Sequence, residues 1–237
     1  MQKWIVRAVF GGLFVVTLIV VSNMNLPKGQ AKMYVAIASI ANYLCWYYAE
    51  SILRKRRIAS VLARLAELGF VESPDTPLHY APERKHHSFK LRYCVRAYWR
   101  GLAVHVAEYE YTTGMGKSSQ KHEFLEARVR FDRDWPPFLL ERRKGFMNRP
   151  LTKLFSGSKV AAFGAFGDTV EVVAEDPELT ARLLGPNLRD WLAGSLHREA
   201  WCMKDGEVSC TRKGACEPRD VEAALGRLAM FLAKARE

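Results

Sequence analysis

Four residues late in the chain, His197, Cys202, Cys210 and Cys216, are of the types that bind zinc, with four, seven and five residues between them. A tetrahedral site needs all four donors to converge on one point. Asp205-Gly206 reads as a two-residue hairpin turn, which sets Cys210 opposite Trp201 and Cys202 opposite Ser209. Strand alternation then sends Cys202 and Cys210 to opposite faces. There is no CxxC pair, and no metal is expected. Gly116-Lys117-Ser118 looks like the end of a phosphate-binding loop, but Tyr111 stands where the first glycine of that motif belongs. The segment also leads into a strand rather than a helix N-terminus that could face a phosphate. His86-His87 lie in a polar stretch beside Arg84 and Lys85, and Asp132 and Asp134 sit at a strand end; both pairs suit solvated loops. No nucleophile elbow or HExxH motif is present, and no cofactor is implied.

The surface with most chemical character is a strand in which Lys90, Arg92 and Arg96 alternate with apolar residues, followed by Arg100. Two strands away stand Arg128 and Arg130, so a cationic stripe for an acidic partner is one reading. Glu108, Glu110 and Glu126 on neighbouring strands favour the other reading, cross-strand neutralisation. The adjoining hairpin, with Tyr109, Tyr111, Lys117 and His122, completes the candidate contact surface.

The elements that position these residues can be read from period and punctuation. Phe89–Ala97, Leu102–Tyr111, His122–Asp132, Phe138–Arg142 and Thr169–Ala174 read as strands, the first three by period-two alternation. Short connections make consecutive ones antiparallel. Asp176-Pro177-Glu178 supplies an N-cap, a proline at the first helical position and an acid in the first turn. That helix should break at Gly185-Pro186 and resume through Leu188, Trp191 and Leu192. Trp201–Thr211 is a hairpin, and a last helix starts near Pro218. The predicted class is α+β, a mostly antiparallel sheet with helices covering one face.

Upstream of the sheet the pattern changes. Ala8–Val21 is a run of 14 residues without a charge, extending to 19 at Leu26, and Met33–Ala49 is a second uncharged run of 17. Asn, Pro27 and Gly29 between them suit a turn. These features predict an N-terminal transmembrane helical hairpin. A cleaved signal peptide would need a small-x-small site that VVSNMN lacks. Ala8, Gly12, Ala38 and Asn42 would let the helices approach closely. Lys3 and Arg7 precede the first run, and Arg54, Lys55, Arg56 and Arg57 follow the second. Basic flanks favour the cytoplasmic side, so both termini are expected there, with Trp46, Tyr47 and Tyr48 in the interfacial belt. Ile58, Val61, Leu62, Leu65 and Leu68 form an amphipathic stripe stopped by Gly69. The expected parts are thus 1–57, a membrane hairpin with its basic flank; 58–87, an amphipathic helix and linker; and 88–237, a soluble α+β domain.

Composition agrees with such a division. Of 237 residues, 36 are basic and 25 acidic, a net charge of +11. Residues 1–57 carry +7 of this and the remaining 180 only +4, which is not the footprint of a nucleic-acid-binding domain. Five cysteines, an odd number in a chain this long, suit free thiols in a reducing compartment.

Tyr109–Lys117 (YEYTTGMGK), with His122 soon after, LAELGF at Leu65–Phe70, VEVVAEDPELTARLL at Val170–Leu184 and the pair Trp191-Leu192 together resemble a group of uncharacterised bacterial membrane-anchored proteins. The resemblance covers about residues 60–235. It implies one or two N-terminal membrane helices followed by a soluble α+β domain, and no activity; the expected location of the hairpin is the inner membrane. The expected function is a membrane-tethered cytoplasmic binding or scaffolding module whose partners are the lipid bilayer and a protein. The alternative is a membrane-associated hydrolase or transferase whose site is assembled from dispersed polar residues, among them His79, His105, His122, Asp132 and Glu126.

Overall fold

The computed structural model describes residues 2–24, 27–73, 88–113, 119–131, 135–142, 159–161, 170–195 and 199–236. Two compact units are present, Met1–Leu62 and Ala63–Glu237.

In the first unit, helix α1 (Gln2–Asn23) is followed by α2 (Lys28–Glu67), whose last turn belongs to the second unit. Phe10, Phe14, Thr17 and Val21 of α1 and Ala31, Val35, Ala38, Asn42 and Trp46 of α2 are half-buried, a seam at spacings of three and four. Asn42 Nδ2 donates across the pair to the Phe10 carbonyl at 3.0 Å. Outside the seam many apolar residues are exposed, among them Leu13, Val16, Ile19, Ile37, Ile40 and Leu44. Among the described residues no helix is long and apolar enough to cross a membrane. The helix pair stands where the sequence places it, but the structure does not support its membrane-crossing character.

In the second unit, α2 ends in a Schellman turn. Gly69, at φ 84°, donates to Ala66 O at 2.9 Å, and Phe70 donates to Leu65 O at 2.9 Å. Leu65 and Phe70, the residues that accompany such a cap apolarly, are both buried. Strand β1 (Val71–Glu72) then opens a sheet with β2 (Phe89–Trp99), β3 (Leu102–Thr113), β4 (Gln120–Arg130), β5 (Phe138–Arg142), β6 (Lys159–Ala161) and β7 (Val170–Ala174). Helix α3 (Pro177–Ser195), strands β8 (Glu199–Lys204) and β9 (Glu207–Lys213) and helix α4 (Pro218–Lys234) complete it. Among the described residues the order is β1-β2-β3-β4-β9-β8-β5-β7-β6, and every neighbouring pair is antiparallel. The α+β class and antiparallel sheet are therefore observed.

Local chemistry accounts for the helix starts. Asp176 Oδ1 accepts from Leu179 N at 2.9 Å, capping α3. Asp220 Oδ2 accepts from Glu217 N at 2.8 Å in a capping box at α4, with Pro218 at the first position. Gly185, at φ 61°, interrupts α3 ahead of Pro186, where the sequence places the break.

Helix α4 packs on β4 and β9, and α3 on β6 and β7, covering one sheet face. The core there is centred on Trp201, stacked on Phe231 at 4.6 Å, with Val221, Leu225 and Leu228 buried alongside. A second buried cluster occupies the opposite face: Tyr109, Tyr111, Phe124, Leu139, Val173, Ala200 and Cys202. Residues 74–87, which hold most of the expected linker, and His197 lie outside the described residues.

Candidate functional site

The hairpin β8–β9 turns at Asp205-Gly206, both at positive φ (54° and 73°), as a type I′ turn requires. Its register pairs Trp201 with Cys210 and Cys202 with Ser209. The two cysteines therefore face opposite sides: Cys210 lies with the helices, and Cys202 with the second cluster.

Following that second face across the paired strands gives rows of side chains. One row runs Cys94, Ala107, Glu126, Thr211, Ala200 across β2, β3, β4, β9 and β8. On β5 the next residue after the Leu140–Trp201 pair is Glu141, whose partner on β7 is Glu171. The adjacent row runs Arg96, His105, Arg128, Ser209, Cys202, Leu139, Val173. A polar band thus crosses a face that is otherwise aromatic and aliphatic. Past Arg96, which is exposed at its β2 end, it is not solvated: Glu126, Arg128, Glu141, Ser209 and Thr211 are each at most 6% exposed. Arg128 Nη1 meets Glu207 at 3.5 Å. Ser209 Oγ, Thr211 Oγ1 and Glu141 Oε2 are buried without a hydrogen-bond partner, an arrangement that costs stability and that native structures seldom leave unexplained.

Electrostatics follow from that burial. Desolvation, helped by the Glu171 charge on the neighbouring strand, raises the Glu141 carboxyl to about 7. Burial, with the Glu126 carboxylate beside it, pushes the Tyr109 phenol well above its ordinary value. At the aromatic end of the face His122 lies 5.1 Å from Tyr111, ring centre to ring centre. Burial and then Lys213 lower its pKa, so it is neutral at pH 7. Chemically the band offers one carboxyl that gains and loses a proton near neutrality, two hydroxyls and a thiol.

The residues expected at a contact surface are distributed differently from a single stripe. Tyr109 and Tyr111 are buried in the second cluster, so neither presents its ring to solvent. The basic strand does not keep its cations on one face. A bulge between Leu91 and Tyr93 shifts the alternation, leaving Lys90 opposite Glu110 with Arg92 on the same carboxylate, while Arg96 faces the other way opposite His105. Lys121 Nζ also reaches Glu110, at 2.5 Å. Cross-strand neutralisation is thus what Glu110 performs. Arg130 is exposed. Of the residues expected to line a pocket, His105, His122 and Glu126 share the second face. His79, Asp132 and Lys117 lie outside the described residues. In the first unit Lys55 and Arg56 are exposed, Arg54 and Arg57 half-buried, Tyr47 exposed and Trp46 in the helix seam, 5.8 Å from Tyr43.

Glu141, Glu171, Ser209 and Thr211 were not singled out by sequence reasoning. Glu141 and Glu171 are 30 positions apart, and only the β5–β7 pairing makes them neighbours. No protein-family model matches the chain, and no curated protein matches it.

Proposed function

We propose that the chain is a membrane-tethered binding module. The helix pair α1–α2 is held in a bilayer, the inner membrane, with both termini on the cytoplasmic side, and the sheet domain engages a protein partner or the inner-leaflet surface. The observation that carries this reading is the outer surface of the hairpin. Leu13, Val16, Ile19, Ile37, Ile40, Leu44 and Tyr47 are all more than half exposed, far more contiguous apolar surface than a water-soluble protein ordinarily leaves open. The hydroxyls of Thr17, Ser22 and Ser39 are satisfied within their own helices. Thr17 Oγ1 donates to Leu13 O at 2.8 Å, Ser22 Oγ to Ile19 O at 2.8 Å and Ser39 Oγ to Val35 O at 2.6 Å, which is what a solvent without hydrogen-bonding groups demands. A segment shorter than the hydrocarbon is accommodated by local thinning and by flanking Lys and Arg reaching the interface. The basic run Arg54–Arg57 supports the orientation.

Cys45 makes a direct test. It is exposed on α2, whereas the other four cysteines are buried. A membrane-impermeant maleimide should leave Cys45 of the full chain unmodified in sealed vesicles and modify it on detergent addition, since the reactive thiolate needs water. Rapid labelling without detergent, or a full chain that stays monodisperse in plain buffer, would refute the proposal.

A second reading, a hydrolase or transferase, is favoured by the Glu141–Glu171 pair alone. It requires turnover of a generic ester or phosphate ester by the full chain, with a pH–rate break near 7 that vanishes in Glu141→Gln. Turnover no higher than in that variant would remove it.

A further inference from the structure

We infer that the tip of the β2–β3 hairpin, Tyr98–Gly101, is a second lipid contact, one that seats in the interfacial region of an anionic bilayer. It rests on the membrane reading above but uses none of the hairpin helices' residues. Tyr98 is 85% exposed, the most exposed large hydrophobic side chain among the described residues. Beside it Trp99 carries the Arg100 guanidinium over its ring, 4.7 Å from the centroid. The turn that presents them has Trp99 opposite Leu102, so Arg100-Gly101 are its two central residues, at φ 50° and 79°. A type I′ turn of this kind is ordinarily filled by Asn-Gly or Gly-Gly. An arginine there holds a sparsely populated backbone state, and in return its cation lies against the indole at the extremity of the sheet.

Charge points to the occupant. From Val95 to Val106 the chain has two arginines and no acid. Arg96 is exposed on the Tyr98 side of the strand, and Arg130, also exposed, ends the strand that pairs with β3. Tyrosine and tryptophan rings with an apolar body and a polar edge are the side chains that favour the headgroup level, and arginines near them add attraction to anionic lipid that salt screens.

The test uses the full chain with Cys45→Ser and Tyr98→Cys, labelled at position 98 with an environment-sensitive fluorophore that stands in for the phenol ring. The protein is reconstituted in vesicles of phosphatidylcholine alone or mixed with phosphatidylglycerol. The expected result is blue-shifted emission in the anionic vesicles, quenched by nitroxides placed near the lipid headgroup and reversed by high salt. Adding Arg100→Gln should lower the ratio of seated to free tip about fivefold. Aqueous emission in both lipids, from protein that co-sediments with the vesicles, would overturn the inference while leaving the membrane reading intact. Blue-shifted emission that lipid nitroxides do not quench would also overturn it, showing a protein on the tip. Protein left in the supernatant would overturn both readings.

Discussion

Glu141 provides the sharpest check on the electrostatics of the second sheet face. Its carboxyl is 6% exposed and stands opposite Glu171, so burial first and the neighbouring charge second move it from 4.5 to about 7. A carboxyl held that high keeps its proton in the folded chain after the unfolded chain has lost it. Its contribution to stability is therefore fully present below about pH 4.5, falls as the pH rises, and is gone above about 7. At about 1.4 kcal/mol per pH unit, the loss over that window is on the order of 3 kcal/mol. Glu141→Gln carries the same shape without an ionisable proton and should lack this decline. Urea unfolding of the full chain in mild detergent, followed by the fluorescence of buried Trp201, measures both proteins from acid to neutral pH. The variant should gain on the wild type by roughly 3 kcal/mol across the window. Glu171→Gln should keep a reduced decline, because burial is the larger cause. Parallel pH profiles for wild type and Glu141→Gln would refute the reasoning and with it the claim that this carboxyl is desolvated.

Other outcomes follow from single contacts. Arg227 pairs with Glu199, which is 2% exposed. Arg227→Met should destabilise the domain by about 1–3 kcal/mol in urea unfolding by leaving that carboxylate buried and unpaired. Asp176→Ala removes the acceptor for Leu179 N and should cost about 1 kcal/mol, with earlier amide exchange in the first turn of α3. Trp201→Ala empties the site stacked on Phe231 and should cost roughly 3–5 kcal/mol, read as a lowered midpoint without change of fold.

The features legible in the sequence are those whose cause lies within a few residues. Gly69 ends α2 because its φ of 84° is open to glycine at no steric cost. Asp205-Gly206 sets the β8–β9 register because both central residues must take positive φ. Asp176-Pro177 starts α3, and Gly185-Pro186 interrupts it, through hydrogen bonds and dihedrals decided on the spot. Uncharged runs likewise located α1 and α2, since apolar length is a local property.

Tertiary structure decided what depends on partners distant in the chain. The β8–β9 hairpin enters the sheet between β4 and β5, and no local signal says where two late strands will be buried. A one-residue bulge at Leu91–Tyr93 reassigns the faces of a basic strand, because side-chain direction has a period of two and one extra residue inverts it. Tyr109 and Tyr111 read as a surface and are core, because what meets an amphipathic ring is chosen by packing. Glu141 and Glu171 become neighbours through the β5–β7 pairing alone. Local chemistry sets turns, caps and helix starts, while the adjacency that makes side chains into a site arises from burying apolar faces against one another across the whole domain.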